Sequence, residues 1–229
     1  MAYFEYNYNI LLVGALALLF CFRLFRGIRY KEFNLSRELV ILALALFVAF
    51  LSTQTFEPYH IDMSGFTRRY NLIPFKTIRN LLIKGVKYNN PETKHLHTLI
   101  IYINLLGNLL IFAPIGFFSA LLFKEPKWYK SLLAGFSLSL CIEIVQIFLI
   151  TRSFDVDDLL LNSLGTLIGY LIFKLFMLIP AFKKFSKKSG NSQRPKGILW
   201  TALYIFTVII LSLAIFLHQY KHYLITPYG

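Results

Sequence analysis

The sequence predicts an all-α fold, a polytopic membrane bundle of about six transmembrane helices with the N-terminus and the C-terminus outside. Three observations carry that prediction. Of 229 residues 57% are hydrophobic and 15% charged, with a mean hydropathy of +0.60, a composition that does not stay soluble once its apolar stretches are exposed. Apolar windows of about 18 or more residues, enough to cross roughly 30 Å of hydrocarbon, recur at 9–25, 38–55, 98–123, 131–150, 158–180 and 198–218. Backbone groups in lipid must be paired within the chain, and no stretch alternates like a barrel strand, which leaves helices. The whole of 1–229 reads as a single membrane domain.

The first helix, 9–25, has its basic residues after it and none before it, the reverse of a cleaved signal peptide. It reads as a retained span entering from outside. Arg23, Arg26, Arg29, Lys31 and Arg37 follow it; Lys124, Lys127 and Lys130 fill the turn 124–130; Lys183, Lys184, Lys187, Lys188, Arg194 and Lys196 fill 183–197, which reads as a solvated linker. The bias of Lys and Arg toward the cytoplasm places these three connections inside. The loop 57–97 then lies outside although it too is basic, long loops weighing little in this bias. A formal charge of +13 arises mostly from residues flanking spans, where they anchor helices to anionic headgroups, so no nucleic-acid partner is implied. Cys21 and Cys141 fall inside spans and the histidines lie in no ligand spacing, so the sequence implies no disulfide, metal or cofactor.

Within the outer loop, "IPFKTIRNLLIKGVKY" (73–88) sets Phe75, Ile78, Leu82 and Val86 at helical spacing and Lys76, Arg79, Asn80, Lys84 and Lys87 on another face. This predicts a helix lying in the membrane surface, entered through Pro74. Its plain use is anchorage. A sharper use is a basic shelf, Lys76, Arg79, Lys84 and Lys87, for an anionic lipid, a lipid-linked phosphate or a wall polymer.

Polar groups inside the spans carry the rest. In "YINLLGNLLIFAPIG", Asn104 and Asn108 share a helix face, and Pro114 removes the hydrogen bond to the carbonyl of Leu110, predicting a kink. "CIEIVQIF" places Glu143 and Gln146 on one face of an apolar helix, where a carboxylate has to be paired, protonated or open to water. "DDLLLNSLGTLIG" puts Asp158 and Asn162 on a face that continues into the small-residue seam of Gly165 and Gly169. Counted at about 1.5 Å per residue from the outer ends, Asn104 lies roughly 9 Å deep, Asn108 roughly 15 Å, Glu143 roughly 10 Å, and Gln146 and Asn162 roughly 6 Å. Groups this level can converge on one ligand-binding pocket opening outward, with Arg152, Asp155, Asp157 and Asp158 at its rim. Plainer uses stand beside that one: Asp155 or Asp158 as a helix cap, Arg152 as their counter-charge, the amides as interhelical hydrogen bonds, and Glu143 paired with Arg152. One cap, however, does not require three aspartates.

"NLIPF" (71–75), "GNLLIFAPIGF" (107–117), "EIVQ" (143–146) and "RSFDVDDLLLNSLGTLIGY" (152–170) resemble, in order and spacing, the signature blocks of VanZ-like membrane proteins over about 40–175. The helices 9–25 and 198–218 lie outside that core. Positions matching the family pattern are Asn71, Pro74, Asn108, Phe112, Pro114, Gly116, Glu143, Gln146, Arg152, Asp155, Asp158, Asn162 and Gly165. The resemblance implies a multi-pass protein of the bacterial plasma membrane associated with resistance to teicoplanin and related lipoglycopeptides. Three functions fit these residues. The leading one is a non-catalytic factor whose polar pocket engages an envelope lipid, a lipid-linked wall precursor or the antibiotic. The second is an enzyme acting on an outer-leaflet lipid or glycan, with Glu143, Asp155 and Asp158 as candidate catalytic groups. No nucleophile motif supports it, since "FSLSL" is no elbow. The third, a proton-coupled transporter, lacks an inverted repeat or paired broken helices.

Overall fold

Lipid offers no partner to a free backbone amide or carbonyl, so an apolar chain closes its hydrogen bonds within helices. The computed structural model describes residues 2–30, 33–55, 70–87, 99, 102–103, 105–147, 154–190, 201–212 and 214. In order these form α1 (Ala2–Arg29), α2 (Leu35–Thr55), β1 (Tyr70–Asn71), α3 (Lys76–Lys87), α4 (105–111), α5 (Ala113–Leu122), α6 (Trp128–Gln146), β2 (Phe154–Asp155), α7 (Val156–Phe176), α8 (Pro180–Gly190) and α9 (Thr201–Ser212). Among the described residues four helical stretches are long and apolar enough to cross a membrane: Leu35–Ser52, Leu105–Leu122, Trp128–Gln146 and Val156–Phe176. The all-α membrane fold read from the sequence is therefore the fold observed.

Several elements differ in detail. The stretch 105–122 is broken at Phe112, where the amides of Ile115 and Gly116 both turn back to the Phe112 carbonyl at 3.1 and 3.3 Å. This break falls two residues before Pro114, in the turn where the kink is expected. The solvated linker expected over 183–197 is corrected for its first half: α8 is an amphipathic helix with Lys183, Lys184, Lys187 and Lys188 exposed and Ser186, Ser189 and Gly190 buried. Its lysines mask a face repeating every three to four residues. A two-residue parallel pair, β1 with β2 in the register Tyr70↔Phe154 and Asn71↔Asp155, is too short to leave any alternation in the sequence.

The chain folds as two compact units. One comprises Met1–Glu57, Leu121–Glu125 and Pro180–Gly229. Here Arg23 and Arg37, which read as basic residues flanking the first span, are buried. Arg23 Nε pairs with Glu38 at 2.5 Å. Arg37 donates to the carbonyls of Leu122 and Ser189 at 3.1 and 3.4 Å, satisfying groups that the ends of α5 and α8 leave without intrahelical donors. Asn34 caps α2 by accepting from the Arg37 amide at 3.2 Å and donates to the Lys188 carbonyl at 2.7 Å.

The other unit, Pro58–Ala120 with Pro126–Ile179, is organised about α7. Close approach makes its two seam glycines obligatory: a Cβ on Gly165 would overlap the carbonyl oxygen of Leu109, and one on Gly169 that of Ala113. Thr166, between them, packs into the space left by Gly116 and Gly135. Phe117 meets Phe173 and Phe176 edge to face at centroid distances of 6.3 and 5.6 Å.

Replacing Gly165 with valine is therefore expected to lower stability by about 3 kcal/mol through overpacking, read as a depressed thermal midpoint in detergent. Gly107→Ala, whose Cβ meets nothing within 4 Å, is expected to leave that midpoint unchanged or raise it slightly.

Candidate functional site

Asp155 is the last extended residue before α7, at φ −129° and ψ 117°, and its carboxylate accepts from the Asp157 amide at 2.9 Å as the N-cap. The same carboxylate reaches across the strand pair. It accepts from the Asn71 side-chain amide at 3.1 Å and the Thr77 hydroxyl at 2.5 Å. Asp155 also donates its own backbone N–H to Glu143 Oε2 at 2.8 Å, and Glu143 is 2% exposed. The buried carboxylate in α6 thus fixes the entry of the chain into α7.

Asp157, fully buried, performs a different task. Its carboxylate accepts from the backbone amides of Phe75, Thr77 and Ile78, the last two at 2.7 and 3.2 Å. These are donors of the first turn of α3, which needs an acceptor and has only a phenylalanine before it. Phe75 moreover sits at φ 63°, a left-handed conformation costing a bulky L-residue about 1–2 kcal/mol. Three charge-assisted bonds to Asp157 offset that strain. Asn71 completes the turn by accepting from the Ile73 amide at 3.4 Å and donating to Thr77 Oγ1 at 3.0 Å.

Deeper in the unit the polar groups meet in pairs. Asn108 donates to Asp158 at 2.7 Å, joining α4 to α7, and Asn162 donates to Ser139 at 2.9 Å, joining α7 to α6. Gln146 is buried on the same helix as Glu143. Asn104 and Arg152, singled out in the sequence, lie outside the described residues. On α3, Lys76, Arg79 and Asn80 are exposed while Thr77 and Ile78 are half-buried, so the first turns of the helix present Lys76 and Arg79 outward. Lys84 and Lys87 continue the same helix, their side chains lying outside the described residues. Among the described residues no group of three His, Cys, Asp or Glu side chains is placed to hold a metal ion.

Sequence reasoning overlooked Thr77 and Ser139 as partners and gave Asp157 no role distinct from its neighbours. Thr77 carries a local signal, standing at the start of an apolar-periodic helix; the partner acid, 78 residues away, carries none. Chemically the arrangement surrounds carboxylates with N–H and O–H donors, and it stations Lys76 and Arg79 on the helix those carboxylates hold.

Asp157→Ala is expected to leave the Thr77 and Ile78 amides without an acceptor, at a cost of about 3 kcal/mol. Hydrogen exchange then accelerates selectively over the first turn of α3. Asp157→Asn, which keeps one acceptor oxygen, falls between the two.

The model of the VanZ/LLP1 family matches residues 38–178, a span that contains all four sequence blocks and every side chain of the network just described. No curated protein and no solved structure matches the chain. With well over half of its length matched, this chain belongs to the VanZ/LLP1 family.

Proposed function

We propose that this VanZ/LLP1 protein works by recognition at the outer surface of the bacterial plasma membrane, as a multi-pass protein with both termini outside. In this reading it lowers the action of teicoplanin and related lipoglycopeptides. The basic face of α3, Lys76, Arg79, Lys84 and Lys87, engages an anionic envelope lipid, the phosphate of a lipid-linked wall precursor or the antibiotic. Beneath it Glu143, Asp155, Asp157 and Asp158, engaged by this chain's own donors, act as the platform, and Asn104, Asn108, Gln146, Arg152 and Asn162 complete the polar cluster of the recognition pocket.

One observation carries the reading: Asp157 holds the backbone amides that begin α3. A helix fixed at its start loses less conformational entropy on binding than a loose loop. It presents Lys76 and Arg79 in a set direction. Glu143 and Asp155, the acids best suited to an enzymatic role, already accept hydrogen bonds from this chain's own donors. A catalytic use has to displace those bonds, which favours recognition.

Near an anionic surface each Lys or Arg contributes about 1 kcal/mol. Replacing Lys76, Arg79, Lys84 and Lys87 with glutamine is therefore expected to weaken binding of a labelled lipid-linked precursor by on the order of a thousandfold. Cells making this variant at normal membrane levels become more susceptible to teicoplanin. Unchanged binding together with unchanged susceptibility would refute the proposal. If instead envelope lipids differ in mass between wild type and Glu143→Gln, the enzymatic reading replaces it.

A further inference from the structure

The unit built from α1, α2, α8 and α9 holds a second polar centre, which the family match leaves largely outside. Arg23 and Arg26 occupy the last two turns of α1, and Arg37 lies near the start of α2. Glu38 is the carboxylate ion-paired to Arg23, and Arg37 is turned to the carboxyl ends of α5 and α8. A cleft opens beside Arg23, lined by Leu19, Phe22, Arg26, Leu203, Tyr204 and Thr207. Its walls are mostly apolar, and Arg23 and Arg26 are the charged residues among them. Tyr204 contributes the second observation. It is 8% exposed, its ring lies 5.5 Å from the Arg23 guanidinium carbon, and its hydroxyl is buried with no hydrogen-bond partner among the described residues. A buried hydroxyl without a partner is costly and marks an unfilled position.

We infer that this cleft binds the phosphate headgroup of an anionic phospholipid, with Tyr204 and Arg26 as donors and an acyl chain along Leu19, Phe22 and Leu203. Charge complementarity selects an anion, since the charged residues lining the cleft are Arg23 and Arg26, and Glu38 pairs with Arg23 without lining it. The apolar walls select a lipid over a free ion, and basic pockets between membrane helices suit such headgroups. The inference is independent of the role proposed for α3.

The test uses the full chain, delipidated in detergent and titrated with phosphatidylglycerol or phosphatidylcholine, with bound lipid counted by native mass spectrometry. Phosphatidylglycerol is expected to be retained and phosphatidylcholine not. Tyr204→Phe, which removes only the hydroxyl and leaves the Arg23–Glu38 pair intact, is expected to weaken retention about tenfold. Tyr204→Phe combined with Arg26→Gln weakens it further. Lys183→Gln with Lys184→Gln lowers surface charge on exposed α8 residues and is expected to change little. Equal retention of both lipids, equal retention by wild type and the cleft variants, or an equal loss in the lysine variant overturns the inference. Displacement of the lipid by millimolar inorganic phosphate also overturns it, by assigning the cleft to a free ion.

Discussion

A carboxylate buried at the start of one helix accepts the first amides of another helix 80 residues upstream, and most of the polar architecture follows from that contact. Every helix begins with amides that no intrahelical carbonyl can reach. At a membrane surface such groups are normally satisfied by a serine, threonine or aspartate immediately before the helix. Before α3 stand Pro74 and Phe75, neither able to serve. Asp157 supplies the acceptor from outside, and it does so only because the β1–β2 pairing brings the two segments side by side. The cap and the strand pair therefore depend on each other. Asp155 ties both to α6, its side chain capping α7 and its amide held by Glu143.

This explains the run of three aspartates at the mouth of α7. The chain changes there from extended to helical, and Asp155, Asp157 and Asp158 take up distinct tasks. Asp155 caps its own helix, Asp157 caps α3, and Asp158 receives Asn108 from α4. Asp155 and Asp157 meet at Thr77, one at its hydroxyl and the other at its amide, while Asp158 turns to α4. A charged cluster thereby becomes a joint among four helices, and the electrostatic cost of burying it is offset by directed N–H and O–H donors.

How much of this was legible depends on the range of each interaction. Four of the six spans were, because hydrophobic length is a local property, and so was the break before Pro114, because proline acts on its own turn. The amphipathic α3 was readable from its spacing alone. Asp158 and Asn162 share a helix face as expected, yet they bond to different neighbours, Asn108 and Ser139, because α7 is gripped from two sides. No periodicity encodes which neighbour an amide will find. Asp157 was the hardest case, since its partners are backbone amides, which every residue but proline offers. Arg23 and Arg37 misled for the opposite reason. Counting basic residues beside a span treats each as a surface charge, whereas Glu38 and the carbonyls of Leu122 and Ser189 allow these two to be buried.

The arrangement also bears on what kind of ligand the site can admit. Carboxylates this close to α3 would repel an approaching anion if their charge were uncompensated. They are instead surrounded by the amides of Phe75, Thr77, Ile78 and Asp157, the side chain of Asn71 and the hydroxyl of Thr77, whose dipoles point inward at them. Compensation occurs within the fold, and the exposed surface over it is left to Lys76 and Arg79. The buried acids thus order a cationic surface without cancelling it. A cluster that reads as negative in sequence lies against a helix whose first turns expose Lys76 and Arg79.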